Sequence, residues 1–232
     1  MRSASKFIAD SITARLASHA DAERAVAMSA YMRDQFTYYG VDSPTRKQIE
    51  RTCFAELTSD VDPFDLARVL WKDLHRECVY VACELLRRTM SRKKQPMIDP
   101  QHALSTLEHL IVTKSWWDTI DTLSPNTAYP LLTRYPGMDL HATARRWIND
   151  DNIWLQRSAI LVQLKAKAAT DADLLFELIL RRIDSREFFI RKGAGWALRE
   201  YSKTDPARVR GFLDAHRDAL SVLTYREASK YC

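Results

Sequence analysis

Glycine is scarce in this chain, with five in 232 residues. So few leave little room for the loops that cradle nucleotide phosphates, and no Walker loop, dinucleotide-binding glycine pattern or GxSxG turn occurs. The four cysteines (Cys53, Cys78, Cys83 and Cys232) form no CxxC pair, and the six histidines show no HExxH or other ligand spacing. The expectation is no metal, no cofactor, and free buried thiols in a reducing compartment. No apolar run approaches the roughly 20 residues of a membrane span. The N-terminal stretch Met1–Leu16 carries Asp10 and hydroxyl residues in a helix-like pattern, unlike a secretory signal. A cytoplasmic protein with no membrane partner is expected.

What is present is basic and helical. The net charge is +5 and the isoelectric point about 9.0, a mild indication of a polyanionic partner. Basic clusters recur at Thr45–Arg51, Arg87–Lys94, Ala144–Trp147, Leu180–Ile183 and Ile190–Lys192. Solvated helix faces or cation-favouring helix C-termini explain such clusters one at a time. Their recurrence is what a concave basic surface on a solenoid requires.

Apolar residues recur at three- and four-residue spacing almost throughout, and no alternating strand pattern stands out. Helices are expected near 5–18, 22–36, 44–57, 63–73, 76–90, 101–112, 115–123, 126–134, 140–149, 152–168, 172–183, 187–202, 206–215 and 221–230. Punctuation agrees at Gly40, Ser43-Pro44, Asp62-Pro63, Asp99-Pro100, Ser124-Pro125, Pro136-Gly137 and Asp205-Pro206. Trp154–Val162 lies over Phe189–Ala197 at an offset of 35 residues, matching aromatic, aliphatic, polar, basic and small positions. That period suggests stacked helix pairs of the HEAT type. The expected fold is one all-α domain over 1–232, a curved solenoid with a concave basic groove.

Several residues sit oddly for a plain core. Arg157 falls mid-stripe on an apolar helical face with Ile153, Ile160, Leu161 and Leu164 around it. A buried guanidinium there needs either an internal acidic partner or a phosphate. Lys165 lies at the edge of the same expected face. Gly193 and Gly195, inside a helix before Trp196, each cost roughly 1 kcal/mol against alanine, so another helix or a ligand is expected close to that backbone. In "SWWDTID", Ser115 and Asp118 read as a near capping box, and Trp116 reads as core. Trp117 and Asp121 are spaced i, i+4 and share a face. An aromatic plane beside a carboxylate suits a cation, although a packed Trp and a solvated Asp satisfy the same pattern.

Leu110–Asp121, Trp147–Lys167, Arg186–Pro206 and Tyr31–Gln48 together resemble, in order, the motifs of the AlkD family of alkylpurine DNA glycosylases. The similarity runs from about Ala25 to the end. It implies HEAT-like repeats holding duplex DNA and release of cationic N3- and N7-alkylpurines, such as 3-methyladenine and 7-methylguanine, without extrusion of the lesion. Carried over by position, Asp121, Trp117 and Trp196 are the expected catalytic set. Arg157, Lys165 and Tyr31 are expected on the DNA backbone, with Ser43, Arg46, Lys47, Lys114 and Lys192 completing the contact surface. A monofunctional enzyme is implied, monomeric, with no cofactor, and nucleoid-associated when bound to DNA. The rival expectation is a HEAT-like scaffold that binds DNA or protein without chemistry.

Overall fold

The computed structural model describes residues 4–92, 94 and 97–231. Lys93 of the second basic cluster, the thiol of Cys232 and the first three residues of the N-terminal stretch lie outside the described residues. Those described are helical or loop, with a single isolated bridge between Thr37 and His75 in place of any strand. The fold is all-α. No described helix is long and apolar enough to cross a membrane. Packing divides the chain into two compact units, Met1–Ile98 and Asp99–Cys232.

The first unit holds α1 (Ala4–Ala17), α2 (Ala22–Tyr31), α3 (Ser43–Ala55), α4 (Pro63–Leu70) and α5 (Arg76–Ser91). Asp21, Asp42 and Asp62 cap the second, third and fourth, each accepting from a backbone N–H in the first turn. Cys53, Cys78 and Cys83 are buried free thiols. α2 stops at Tyr31, five residues before its expected end, because Arg33 and Asp34 take left-handed φ values of 55° and 56°. The loop that follows is fixed from below. Glu77, fully buried on α5, accepts from the backbone N–H groups of Tyr39, Gly40 and Val41 at 3.1, 2.9 and 3.1 Å. Only glycine fits at position 40, where φ is +87° and a Cβ would stand 2.0 Å from the Asp21 carbonyl.

The second unit begins with α6 (Pro100–Val112) and α7 (Trp117–Leu123). Five residues in π-helical register, Ser124–Ala128, join α7 directly to α8 (Tyr129–Arg134). The expected break at Ser124-Pro125 is thus a change of register inside a continuous helix, since Pro125 offers no N–H to the α-helical ladder. α9 (Leu140–Ile148), α10 (Ile153–Leu161), α11 (Ala172–Leu180), α12 (Phe188–Ser202), α13 (Pro206–Ala215) and α14 (Val222–Ala228) follow. α10 packs on α9 and α12 and also meets α6 and α7, so the two similar segments at Trp154 and Phe189 lie on neighbouring helices. Trp147, Ile120, Leu123, Leu161 and Leu198 are fully buried among these helices. α10 ends seven residues short of its expected limit, leaving Lys165 in the turn beyond it.

Candidate functional site

The approach to α7 explains how its side chains are aimed. Lys114 adopts a left-handed φ of 49°, which ends α6 and turns the chain. Ser115 donates its hydroxyl to the Ile111 carbonyl at 2.6 Å, so it finishes the preceding helix and does not cap the next one. The N-cap is Trp116, in extended conformation and with no side-chain cap. Asp118 takes its place in the first turn, where it accepts from the Thr119 N–H at 2.9 Å and complements the helix dipole.

One turn on, Asp121 meets Arg157 of α10. Arg157 places Nη2 at 2.7 Å and Nε at 3.0 Å from the same oxygen, Asp121 Oδ1. Its Nη1 donates to the main-chain carbonyl of Phe189 on α12. The Arg157 side chain is 3% exposed and that of Asp121 19%. α12 can lie this close because position 193 has no side chain: a Cβ there would stand 3.0 Å from Arg157 Nη1. Gly195 serves the other face, where a Cβ would meet Glu227 Cβ at 2.6 Å and the Thr224 carbonyl at 2.9 Å. The two interior glycines therefore admit a guanidinium on one side and α14 on the other.

The electrostatics of Asp121 follow from this setting. Burial pushes its carboxyl above the ordinary aspartate value, the charge and hydrogen bonds of Arg157 pull it back down, and Asp118 adds to the rise. Oδ1 is anchored, whereas Oδ2 receives no hydrogen bond from the described residues. The result is a carboxylate with one oxygen fixed and the other available to a cation or a water. Arg157, expected on a phosphate, is turned inward and takes the internal ion-pair alternative.

Trp116, expected as core, is half-buried in a trio with Trp154 and Phe189, with ring centroids 5.8 and 5.2 Å away. Its indole N–H is buried without a partner. Trp117 and Trp196 are also half-buried.

The expected DNA contacts divide by charge. Lys192 pairs with Glu227 at 2.7 Å, and the Lys192 ammonium with Lys230 holds that carboxyl down at about 2. Arg46, in the first unit, pairs with buried Glu50 at 3.2 Å and lies over the Tyr80 ring. The other basic clusters are similarly stitched: Arg145 and Arg181 share Glu177, and Arg87 and Arg88 share Glu84. Lys165 is exposed and donates to a neutral acceptor, Asn126 Oδ1, at 2.9 Å. In the first unit Tyr31 is 74% exposed at the end of α2, and Ser43 and Lys47 are exposed on the first turns of α3. Sequence reasoning missed the carbonyl of Phe189, the specific service of Gly193 to Arg157, and Asn126, a residue type with no motif to announce it.

A family model described as DNA alkylation repair enzyme matches residues 12–232. Among solved structures, the chain is similar to a "predicted DNA alkylation repair enzyme" from Enterococcus faecalis. The two share 29% identity over 92% of this chain and 96% of that one, with a TM-score of 0.79. No curated protein matches the sequence.

Proposed function

The chain belongs to the DNA alkylation repair enzyme family, which makes it an enzyme for repair of alkylated DNA with DNA as its partner; on that premise, we propose that it is an AlkD-type glycosylase acting on cationic purine lesions in duplex DNA. The observation that carries this reading is the half-anchored carboxylate: Asp121 fixed by Arg157 through one oxygen, with Trp117 one turn before it on the same helix. A surface that only gripped phosphates gains nothing from a carboxylate with an oxygen left over for a cation.

An N3- or N7-alkylpurine already carries positive charge, so its base departs without protonation. The bond from the base nitrogen to C1′ breaks, its electron pair neutralises the base, and cationic character passes to the deoxyribose. Asp121 stabilises that charge through its unanchored oxygen and orients the water that adds to C1′, accepting its proton or passing it to solvent. Trp117 and Trp196 offer π-faces and dry walls to the same cation. Arg157 acts through Asp121 as a positioning residue. Lys114, Lys165 and Lys192 in the second unit and, separately, Tyr31, Ser43, Arg46 and Lys47 in the first are the proposed DNA contacts, Arg46 and Lys192 exchanging a carboxylate partner for phosphate, and the helix pairs are read as HEAT-like repeats. Because lability of the lesion itself selects the substrate, 3-methyladenine and 7-methylguanine are the bases to test, and extrusion of the nucleotide is not required. The reading includes a cytoplasmic monomer that works without a metal.

The test is release of free base from methylated duplex DNA, resolved chromatographically. Appearance of 3-methyladenine or 7-methylguanine is expected. Salt-sensitive duplex binding with no base released would return the non-catalytic scaffold.

A further inference from the structure

Three of the cations that the sequence offers to DNA, Arg46, Arg157 and Lys192, are paired with carboxylates of their own chain, and Lys165 is held differently. The cause lies in the π-helical stretch. Pro125 cannot donate to the helix, and the shift in register is closed by the Tyr129 N–H donating to the Ser124 carbonyl. The Asn126 side chain then donates Nδ2 to the Thr122 carbonyl at 2.7 Å. A carbonyl only accepts, so the amide is oriented with its own oxygen outward. Onto that oxygen Lys165 Nζ donates at 2.9 Å, across 39 residues of sequence. A lysine only donates, so both partners fix the amide in the same sense.

We propose that Asn126 is a positioning residue for DNA: it holds the Lys165 ammonium in place beside the α7 helix without cancelling its charge, so that Lys165 meets a backbone phosphodiester near the lesion bound at Asp121. This rests on the DNA-glycosylase reading and extends it. The distinction is chemical. A carboxylate at position 126 could not donate to the Thr122 carbonyl, and it would pair with the lysine as an ion pair of no net charge. A neutral amide restrains the flexible four-carbon stem while the full positive charge stays available to a phosphate. π-Helical turns occur frequently at functional sites, and this one follows the proposed catalytic aspartate by three residues.

The experiment is binding of unmodified duplex DNA over a range of salt, with wild type, Asn126→Asp, Lys165→Ala and the double variant, each checked for folding by its melting temperature. One phosphate contact is worth about 0.9 in the slope of log K against log salt. Asn126→Asp is expected to lower the slope by about that amount, as Lys165→Ala does, and the double variant to fall no further than Lys165→Ala alone. A normal wild-type slope that Asn126→Asp leaves unchanged overturns the proposal. So does a second loss of slope when Asn126→Asp is added to Lys165→Ala, because the new charge would then act without the lysine. Absence of any salt-dependent duplex binding by the wild type is a separate result, which sinks the DNA-binding reading together with this extension.

Discussion

Arg157 directs two nitrogens at one oxygen of Asp121, at 2.7 and 3.0 Å, and leaves the second carboxylate oxygen unengaged by any described residue. The ion pair thereby sets the direction of the group proposed to do the chemistry and opposes the rise that burial imposes on its pKa.

The pH dependence of base release follows from that pair. On the acid side the lesion stays cationic, so the acid limb reports Asp121. Burial raises its pKa above the ordinary aspartate value, and activity is expected to fall as pH drops through that raised value. Arg157→Lys keeps a charge but loses the fork, weakening the influence that holds the carboxyl down. Its acid limb should move to higher pH, with a lower plateau, in single-turnover rates at saturating enzyme. A limb unmoved from the wild type would show that Asp121 is not the titrating base.

Gly193 and Gly195 make a paired test. Each gains roughly 1 kcal/mol of helix propensity on substitution by alanine. At Gly193 the new methyl meets the end of the Arg157 side chain at 3.0 Å, so the guanidinium must shift by a few tenths of an ångström. Stability should change little while base release falls severalfold. At Gly195 the methyl meets the Thr224 backbone oxygen at 2.9 Å and Glu227 Cβ at 2.6 Å, and a net loss of about 1–3 kcal/mol is expected from overpacking. Denaturant unfolding beside single-turnover rates separates the two. Equal stability losses would contradict the division of labour between these glycines.

Acid unfolding tests the Glu227 hub. Lys192, Arg199 and Lys230 converge on this buried carboxylate, whose pKa is lowered from 4.5 to about 2. A depressed carboxyl contributes stability that is complete above its unfolded value and lost as pH falls through the folded one. Glu227→Gln should therefore melt well below the wild type at pH 7, and the gap should close between pH 4.5 and 2. A gap independent of pH would mean that packing at position 227, rather than its charge, matters.

In the first unit, Glu77 carries the loop after α2. Glu77→Ala would strand three backbone N–H groups, each costing about 1–3 kcal/mol when buried and unpaired. Loss of stability on that scale is expected in chemical denaturation, and a change under 1 kcal/mol would mean that the loop finds other acceptors.

Helix placement was legible because its signals are local. Asp62-Pro63, Asp99-Pro100 and Asp205-Pro206 each became a cap followed by a helix start. The failures were also physical. Residues 32–36 continue a helical pattern, yet left-handed Arg33 and Asp34 break it, and Glu77 reaches from α5 to fix the loop beyond at residues 39–41. Pro125 reads as a break, but a π turn absorbs it. Arg157 was visible as an anomaly on an apolar stripe, whereas its partner lies 36 residues away and no local pattern names it. Basic clusters were conspicuous in composition; the pairing of Arg87 and Arg88 with Glu84 is local to one helix, whereas that of Arg145 with Glu177 and of Lys192 with Glu227 is a tertiary fact.

The most direct measurement is base release from a duplex carrying a single 7-methylguanine, with wild type and Asp121→Asn side by side under single-turnover conditions. Asparagine keeps an oxygen for Arg157 to hold, so the fold and duplex affinity should persist while release falls by orders of magnitude. Release at the wild-type rate by Asp121→Asn would contradict the role given to this carboxylate and the mechanism built on it.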